Sequence, residues 1–293
     1  MARLALARGM SASASARLTR QSGTNFYYAF RILPEEKRRA IYALYAFCRS
    51  VDDCVDEPGG EREAGLARWL AEVQRAYAGR PETELGRELA EAVTRFPIPR
   101  GAFEDIVAGC RMDLTTRRYA SFAELRVYCE RVASAVGLAS IEIFGYQDPR
   151  SREYAVELGL ALQLTNILRD IASDAARDRL YLPLEDLARF GVGEAALLAA
   201  AGDVAAPRPA GLAELLAFEA ERARSHYAAA ARLLPERDRR SMLAAEIMGA
   251  IYRAVLEAWA RSGHPVGGPR TALGKPRKLW IALRSVPRVY WGV

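Results

Sequence analysis

Apolar residues return every three or four positions along most of this chain, the period of a helix with one buried face. Proline and glycine punctuate the pattern. Pro34 suits the first turn of a helix that runs through an acidic cluster to Pro58-Gly59-Gly60. Residues 61–78 put Leu66, Trp69, Leu70, Val73 and Tyr77 on one side and stop at Gly79-Arg80-Pro81. Helices are predicted over 83–95, bounded by Pro97 and Pro99, and over 103–113, with 115–118 as a connection. The spacing then predicts long helices over 122–144 and 152–176, a surface loop with a short helix over 191–211, and two more helices over 212–234 and 239–261. Alternating patterns and β-branched runs are scarce, so the expected fold is all-α. No apolar run reaches the ~18 residues of a membrane span. No repeat and no long low-complexity linker divides the chain, so residues 21–293 read as one helical bundle.

Two stretches interrupt this pattern with carboxylates. In 163–174, QLTNILRDIASD, Asn166, Asp170 and Asp174 lie four apart and so share a helix face, with Gln163 two turns before Asp170. Leu160, Leu164, Ile167, Leu168 and Ile171 give the same helix enough apolar surface to be buried. In 42–57, YALYAFCRSVDDCVDE, Asp52, Asp53 and Asp56 have spacings of four and three, and Tyr45 and Arg49 continue the stripe. Unpaired buried charge is costly. Two such rows facing each other across a bundle call for a cation between them. Mg²⁺ takes oxygen ligands and binds through one or two carboxylates plus substrate phosphates, so the pattern points to a phosphate-bearing substrate. Two solvated helix faces are the alternative. Asp113, after an apolar face, reads as a cap or salt-bridge partner or as a further member of the polar cavity. Tyr181, just past the second acidic row, is placed to close over it.

Around these rows the sequence offers other candidate groups. Residues 22–30, SGTNFYYAF, supply hydroxyl, amide and backbone donors of the kind that hold phosphate oxygens; a helix N-cap explains them as well. Small residues at Ala133, Ala135 and Gly137 leave room for a long apolar chain or for a neighbouring helix packed close.

Composition narrows the partners. Half of the 293 residues are hydrophobic (51%), enough for a sizeable core, and the net charge of +6 favours anionic ligands. Zinc-finger spacing and glycine-aromatic RNA signatures are lacking, so nucleic acid is not an expected partner. Cys48, Cys54, Cys110 and Cys129 form no C-x-x-C pair and read as reduced thiols. Residues 1–20 are basic and acid-free, and read as a disordered tail in preference to a transit peptide. From Arg270 on, Arg270, Lys275, Arg277, Lys278, Arg284 and Arg288 alternate with Trp280, Tyr290 and Trp291. That mixture suits a membrane surface, a lid over diphosphate, or a solvated basic tail.

The motifs NFYYAF, YALYAFCRSVDDCVDE, YCERVASAVG and LALQLTNILRDIASDAARDRLYLP resemble those of the squalene and phytoene synthase family, from about residue 22 to 284. Within it, the wording is most similar to bacterial presqualene diphosphate synthases of the hydroxysqualene route to hopanoids. The resemblance implies an isoprenoid-synthase helical bundle with a central apolar cavity. It also implies a prenyltransferase that joins two prenyl diphosphates head to head through a cyclopropyl diphosphate. It assigns metal binding (Mg²⁺, with Mn²⁺ as a substitute) to Asp52, Asp53, Asp56, Asn166, Asp170 and Asp174. It assigns contacts with prenyl diphosphate to Ser22, Gly23, Thr24, Asn25, Tyr45, Arg49, Gln163, Arg169 and Tyr252. Tyr128 matches an aromatic of the cavity. The expected substrates are two farnesyl diphosphates. A phytoene synthase using geranylgeranyl diphosphate and a non-catalytic assembly factor are the alternatives. NADPH is not expected, a downstream enzyme of the same pathway is an expected partner, and the location is cytoplasmic or peripheral at the inner face of the membrane.

Overall fold

The prolines and glycines that punctuate the sequence fall between helices in space. The computed structural model describes residues 13, 15–17, 29–56 and 61–291. In chain order the helices are α1 (Glu35–Asp56), α2 (Arg62–Tyr77), α3 (Glu84–Arg95), α4 (Arg100–Thr115), α5 (Phe122–Cys129), α6 (Ala135–Phe144), α7 (Arg150–Ala175), α8 (Leu184–Arg189), α9 (Glu194–Gly202), α10 (Leu212–Leu233), α11 (Leu243–Arg261) and α12 (Lys275–Trp291). Among the described residues there is no strand, only an isolated bridge between Arg118 and Leu180. The fold is the expected all-α bundle.

The sequence misses three features. The helix expected over 122–144 contains a π-helical turn at Glu130–Ser134, so α5 and α6 form one rod with an irregular middle. Such turns admit an extra residue and recur at functional sites. Helix α8 is too short to carry a period. The basic C-terminal segment, which the sequence leaves undecided, is the helix α12.

Helix α7 is the axis. It packs against α10, α11, α9 and the α5–α6 rod. Leu160, Leu164, Ile167, Leu168 and Ile171 are buried as the pattern requires, each contributing about 1.5–3 kcal/mol by leaving water. Its start is tied down by buried Asp238, whose carboxylate accepts from the Gln147 and Asp148 backbone N–H groups and from Ser151 Oγ at 2.9, 3.0 and 2.7 Å. Two glycines allow α7 and the rod to approach closely. A Cβ on Gly159 would lie 2.7 Å from Ser134 Cα, and one on Gly137 would lie 2.8 Å from the Ala155 carbonyl oxygen.

On the other side α1 packs against α3, α4, α2 and α6. Phe47 makes edge contacts with Trp69 and Phe103, with centroids 5.7 and 5.1 Å apart. Thr83 caps α3 by accepting from Gly86 N–H at 2.8 Å. Of the stretch read as a loose tail, residues 15–17 form a turn on α3. There Ser15 is buried against the Glu88 carboxylate, and Arg17 pairs with Glu84 at 3.3 Å. Ser22, Gly23, Thr24 and Asn25 lie outside the described residues.

Candidate active site

Helices α1 and α7 both turn a polar stripe into one cavity of about 460 Å³. From α1 come Tyr45, Arg49, Asp52 and Asp56; from α7 come Gln163, Asn166, Arg169, Asp170 and Asp174. Helix α11 adds Met248 and Tyr252, and the rod adds Tyr128, Val132, Val136 and Gly137. Gly137 thus serves both uses foreseen for the small residues: it touches α7 and it lines the cavity. Asp113, Arg177, Arg179 and Arg270 add further charge, and the rest of the wall is mostly apolar, with Phe30, Ile41, Phe144 and Leu158 among its members.

Asp53 does not line the cavity. It stands roughly 100° around α1 from Asp52, and its carboxylate pairs with Arg49 at 2.7 Å on the helix surface. Asp53 therefore departs from the expected ligand set, while Asp52, Asp56, Asn166, Asp170 and Asp174 are brought to one space.

The electrostatics of these groups differ. Asp170 is held from two sides. Arg169 donates Nε and Nη2 at 2.8 and 2.7 Å, and Arg270, from the segment before α12, donates the same pair at 2.6 Å each. Burial pushes the Asp170 carboxyl up, but the two guanidinium groups outweigh it and its pKa is lowered. Asp56 receives Arg179 Nη1 at 3.0 Å, with Arg177 at 3.8 Å. Asp52 and Asp174 have no such partner. Asp52 is exposed to the solvent of the cavity, with protein around the cavity's walls. Burial pushes its pKa up to about 6, with Asp56 and Asp113 adding to the rise, against the Cys110 thiol that donates at 3.2 Å. Asp174 is pushed up to about 7 by burial and by the charge of Asp170.

Behind Asp52 lies a group that spacing alone left ambiguous. Asp113 on α4 joins the cavity. It accepts from Tyr181 OH at 2.7 Å and Tyr128 OH at 3.1 Å. The Tyr128 and Tyr181 rings stack with centroids 5.1 Å apart. The loop after α7 reaches this point because Leu180 N–H donates to the Arg117 carbonyl and Leu184 N–H to that of Tyr119. Arg179, on the same loop, was not singled out by sequence reasoning. Its signal was its place in RDRLYLP, directly after the acidic row. Burial raises the Tyr128 and Tyr181 phenols far above their ordinary value, and Asp113 adds to it. Both stay protonated, so they are hydrogen-bond donors with π faces, not phenolate bases.

The donor set fits a hard cation. Asn166 Oδ1 is buried without a hydrogen-bond partner, while its Nδ2 donates to Gln163 Oε1 at 3.3 Å. An orphaned amide oxygen in the same cavity as two carboxylates without a guanidinium partner is costly unless a positive ion or a ligand group completes it. Among the described residues no three of His, Cys, Asp or Glu gather closely enough to hold a metal alone.

Residues 19–277 match the squalene/phytoene synthase family. The chain belongs to that family. Its members are prenyltransferases of the head-to-head type and bind diphosphate substrates with a divalent metal. The chain is 39% identical over 265 residues to presqualene diphosphate synthase of Rhodopseudomonas palustris, covering 89% of this chain and 92% of that one. It is 36% identical over 281 residues to phytoene synthase of Arthrospira platensis, covering 89% and 88%. Its fold matches a dehydrosqualene synthase crystallised with a ligand, with a TM-score of 0.82 at 28% identity over 93% of this chain and 94% of the other. It also matches a squalene synthase from Alicyclobacillus acidocaldarius, with a TM-score of 0.76 at 31% identity over 85% and 93%. Among the described residues no helix is long and apolar enough to cross a membrane.

Proposed function

We propose that this family member joins two farnesyl diphosphates head to head to give presqualene diphosphate, inorganic diphosphate and a proton. The observation that carries the reading is that Asp52, Asp174 and the orphaned Asn166 oxygen line one cavity whose other walls are mostly apolar. The relatives named presqualene diphosphate synthase support the C15 substrate. A phytoene synthase joining two geranylgeranyl diphosphates is the second reading, favoured by relatives of that name at similar identity. A non-catalytic assembly factor has less support, because such a protein has no use for two intact rows of carboxylates in one cavity.

Asp52, Asp56, Asn166, Asp170 and Asp174 would hold Mg²⁺, or Mn²⁺ in its place, with Asp53 adding charge from outside the cavity. When bound, the metal neutralises the diphosphate and makes it a better leaving group. Arg49, Arg169, Arg179 and Arg270 supply N–H donors to the diphosphate oxygens, with Tyr45 and Gln163 beside them. Ser22, Gly23, Thr24 and Asn25 are assigned the same role on sequence grounds. Tyr252 supports Arg169, whose guanidinium carbon lies 6.0 Å from the ring centre. The apolar wall takes the prenyl chains.

Breaking the allylic C–O bond leaves a carbocation, which the π faces of Tyr128 and Tyr181 stabilise by about 0.5–2 kcal/mol each. Exclusion of water keeps the cation from being trapped as an alcohol. The double bond of the second prenyl chain attacks it, and loss of a proton closes the cyclopropane. Both tyrosines keep their phenolic protons, so the departing diphosphate is the proposed proton acceptor. The cyclopropyl diphosphate then leaves without reduction by NADPH and passes to a downstream enzyme.

The test is incubation with Mg²⁺ and either the C15 or the C20 diphosphate, without NADPH, and identification of the product by mass. Presqualene diphosphate from the C15 substrate supports the reading. Phytoene from the C20 substrate supports the alternative, and no product from either leaves the assembly factor.

A further inference from the structure

The charge of this chain is concentrated at one end. Residues 258–293 carry seven Lys or Arg and no Asp or Glu, so the net +6 of the whole chain resides there and the remainder is at −1. Most of that charge lies on or beside α12, which has two distinct faces. Ile281, Ala282, Ser285 and Val289 are buried, and the helix packs on α11. The opposite face bears Leu279, Trp280 and Leu283, which are 51%, 55% and 63% exposed. These are half of the exposed large hydrophobic side chains among the described residues; Val127 lies on α5, and Ile32 and Val204 lie in turns elsewhere in the chain. Scattered exposed residues need no explanation, whereas a cluster on one helix face does. Lys275, Arg277 and Arg284 flank the cluster, all exposed. The Arg284 guanidinium lies 4.6 Å from the Trp280 ring centre.

We propose that α12 docks this protein on an anionic lipid bilayer. Leu279, Trp280 and Leu283 enter the boundary between headgroups and acyl chains, and the flanking cations meet lipid phosphates. An apolar stripe edged by Lys and Arg with tryptophan at its centre has the chemistry for that boundary. Charge complementarity selects this occupant over a second copy of the chain: a symmetric contact through this face would set its cations against their own images. The segment that leads into α12 also carries Arg270, which grips Asp170 at the polar end of the cavity. The docking face and the cavity mouth are therefore linked by a few residues. If the proposed function holds, a bilayer beneath α12 supplies substrates with long apolar chains and accepts the product. The docking itself does not depend on that function.

Flotation of the full-length protein with phosphatidylcholine vesicles, with and without about 30% phosphatidylglycerol, tests the inference. The expected result is binding to the anionic vesicles only, weakened by added salt. Leu283→Glu and Trp280→Ala should each reduce partitioning about tenfold or more, because both remove the inserted apolar anchor. Their helix content and Mg²⁺-dependent turnover of substrate in solution should match wild type. The proposal is overturned if wild type ignores anionic vesicles, or if both variants bind as wild type does. It is equally overturned if light scattering shows a dimer that Leu283→Glu converts to monomer without vesicle binding. Because flotation needs no turnover, failure of this inference and failure of the enzyme reading give separate signatures.

Discussion

The acidic rows of α1 and α7 look alike in sequence, yet the molecule treats their charges differently. On α7, Asp170 takes four short N–H donors from two arginines. On α1, Asp56 takes one short contact from Arg179 and a longer one from Arg177. Each row also has a member without a guanidinium contact, Asp52 on α1 and Asp174 on α7, whose pKa is raised by burial and by neighbouring carboxylates. The clamped carboxylates are already neutralised by protein, so a metal must displace a guanidinium to reach them. The bare ones gain a counter-charge from a metal at no such cost. The rows are thus half-completed in the same way but with unequal strength, and the α1 row depends more on an added ion.

The largest expected effect breaks either row outright. Asp52→Ala and Asp170→Ala should each cut turnover by at least about a hundredfold, the scale seen when one group that stabilises developing charge is removed. Helix content by circular dichroism should stay near wild type. Asp53→Ala sharpens the comparison within one helix, since Asp53 points away from the cavity and should lose less than about tenfold. If Asp53→Ala were as damaging as Asp52→Ala, the placement of the α1 stripe would be wrong.

A second expectation uses the bare members. Asp52 and Asp174 have native pKa values raised to about 6 and about 7, above those of the unfolded chain. A raised carboxyl favours the native state below its unfolded pKa, and that contribution is lost as pH rises through the native value. The metal-free protein should therefore lose thermal stability between pH 5 and 8, and Mg²⁺ should raise its Tm more at pH 8 than at pH 5. Buried Glu219, pushed up to about 7 by burial, drives the same trend far from this cavity. Asp174→Asn isolates the local part: it should flatten the pH dependence and shrink the Mg²⁺ effect, as read by scanning fluorimetry. An Mg²⁺ shift equal at both pH values would contradict the assignment.

A smaller effect is expected behind the α1 row. Tyr181→Phe removes one donor to Asp113 while keeping the ring stack, and should cost roughly tenfold in turnover or less. Tyr181→Leu removes the π face as well and should cost more than Tyr181→Phe. Product mass with each variant separates the two roles, because a lost π face should divert more of the cation to alcohol.

These differences explain which parts of the molecule were legible in the sequence. The helices were, because period and proline placement are local. So were the two rows, because spacings of three and four fix a shared face. Spacing could not separate Asp52 from Asp53, since both stand at helical intervals from Asp56 and only the position of the cavity distinguishes them. Arg179 and Asp113 acquire their roles from a loop that folds back through the Leu180-to-Arg117 hydrogen bond, a contact between residues over sixty apart. Arg270 meets Asp170 across a hundred residues. No local pattern encodes such meetings.

That last contact sets the smallest effect and the sharpest test of the comparison. Arg169 is nearly enclosed, with 9% of its side chain exposed, whereas Arg270 is 62% exposed. Arg270 reaches Asp170 from the solvent side, and pairs with solvent-exposed partners contribute about 0.2–1 kcal/mol, so releasing Arg270 is cheaper than releasing the enclosed Arg169. Arg270→Gln should therefore tighten Mn²⁺ or Mg²⁺ binding to the substrate-free protein by up to about fivefold, as measured by calorimetry. With diphosphate present the sign should reverse, because the same guanidinium is then a donor the substrate lacks, and KM should rise. A variant that bound metal more weakly in both states would mean that Arg270 builds the cation site by positioning Asp170. In that case the clamp on α7 would be part of the site and would not compete with the metal.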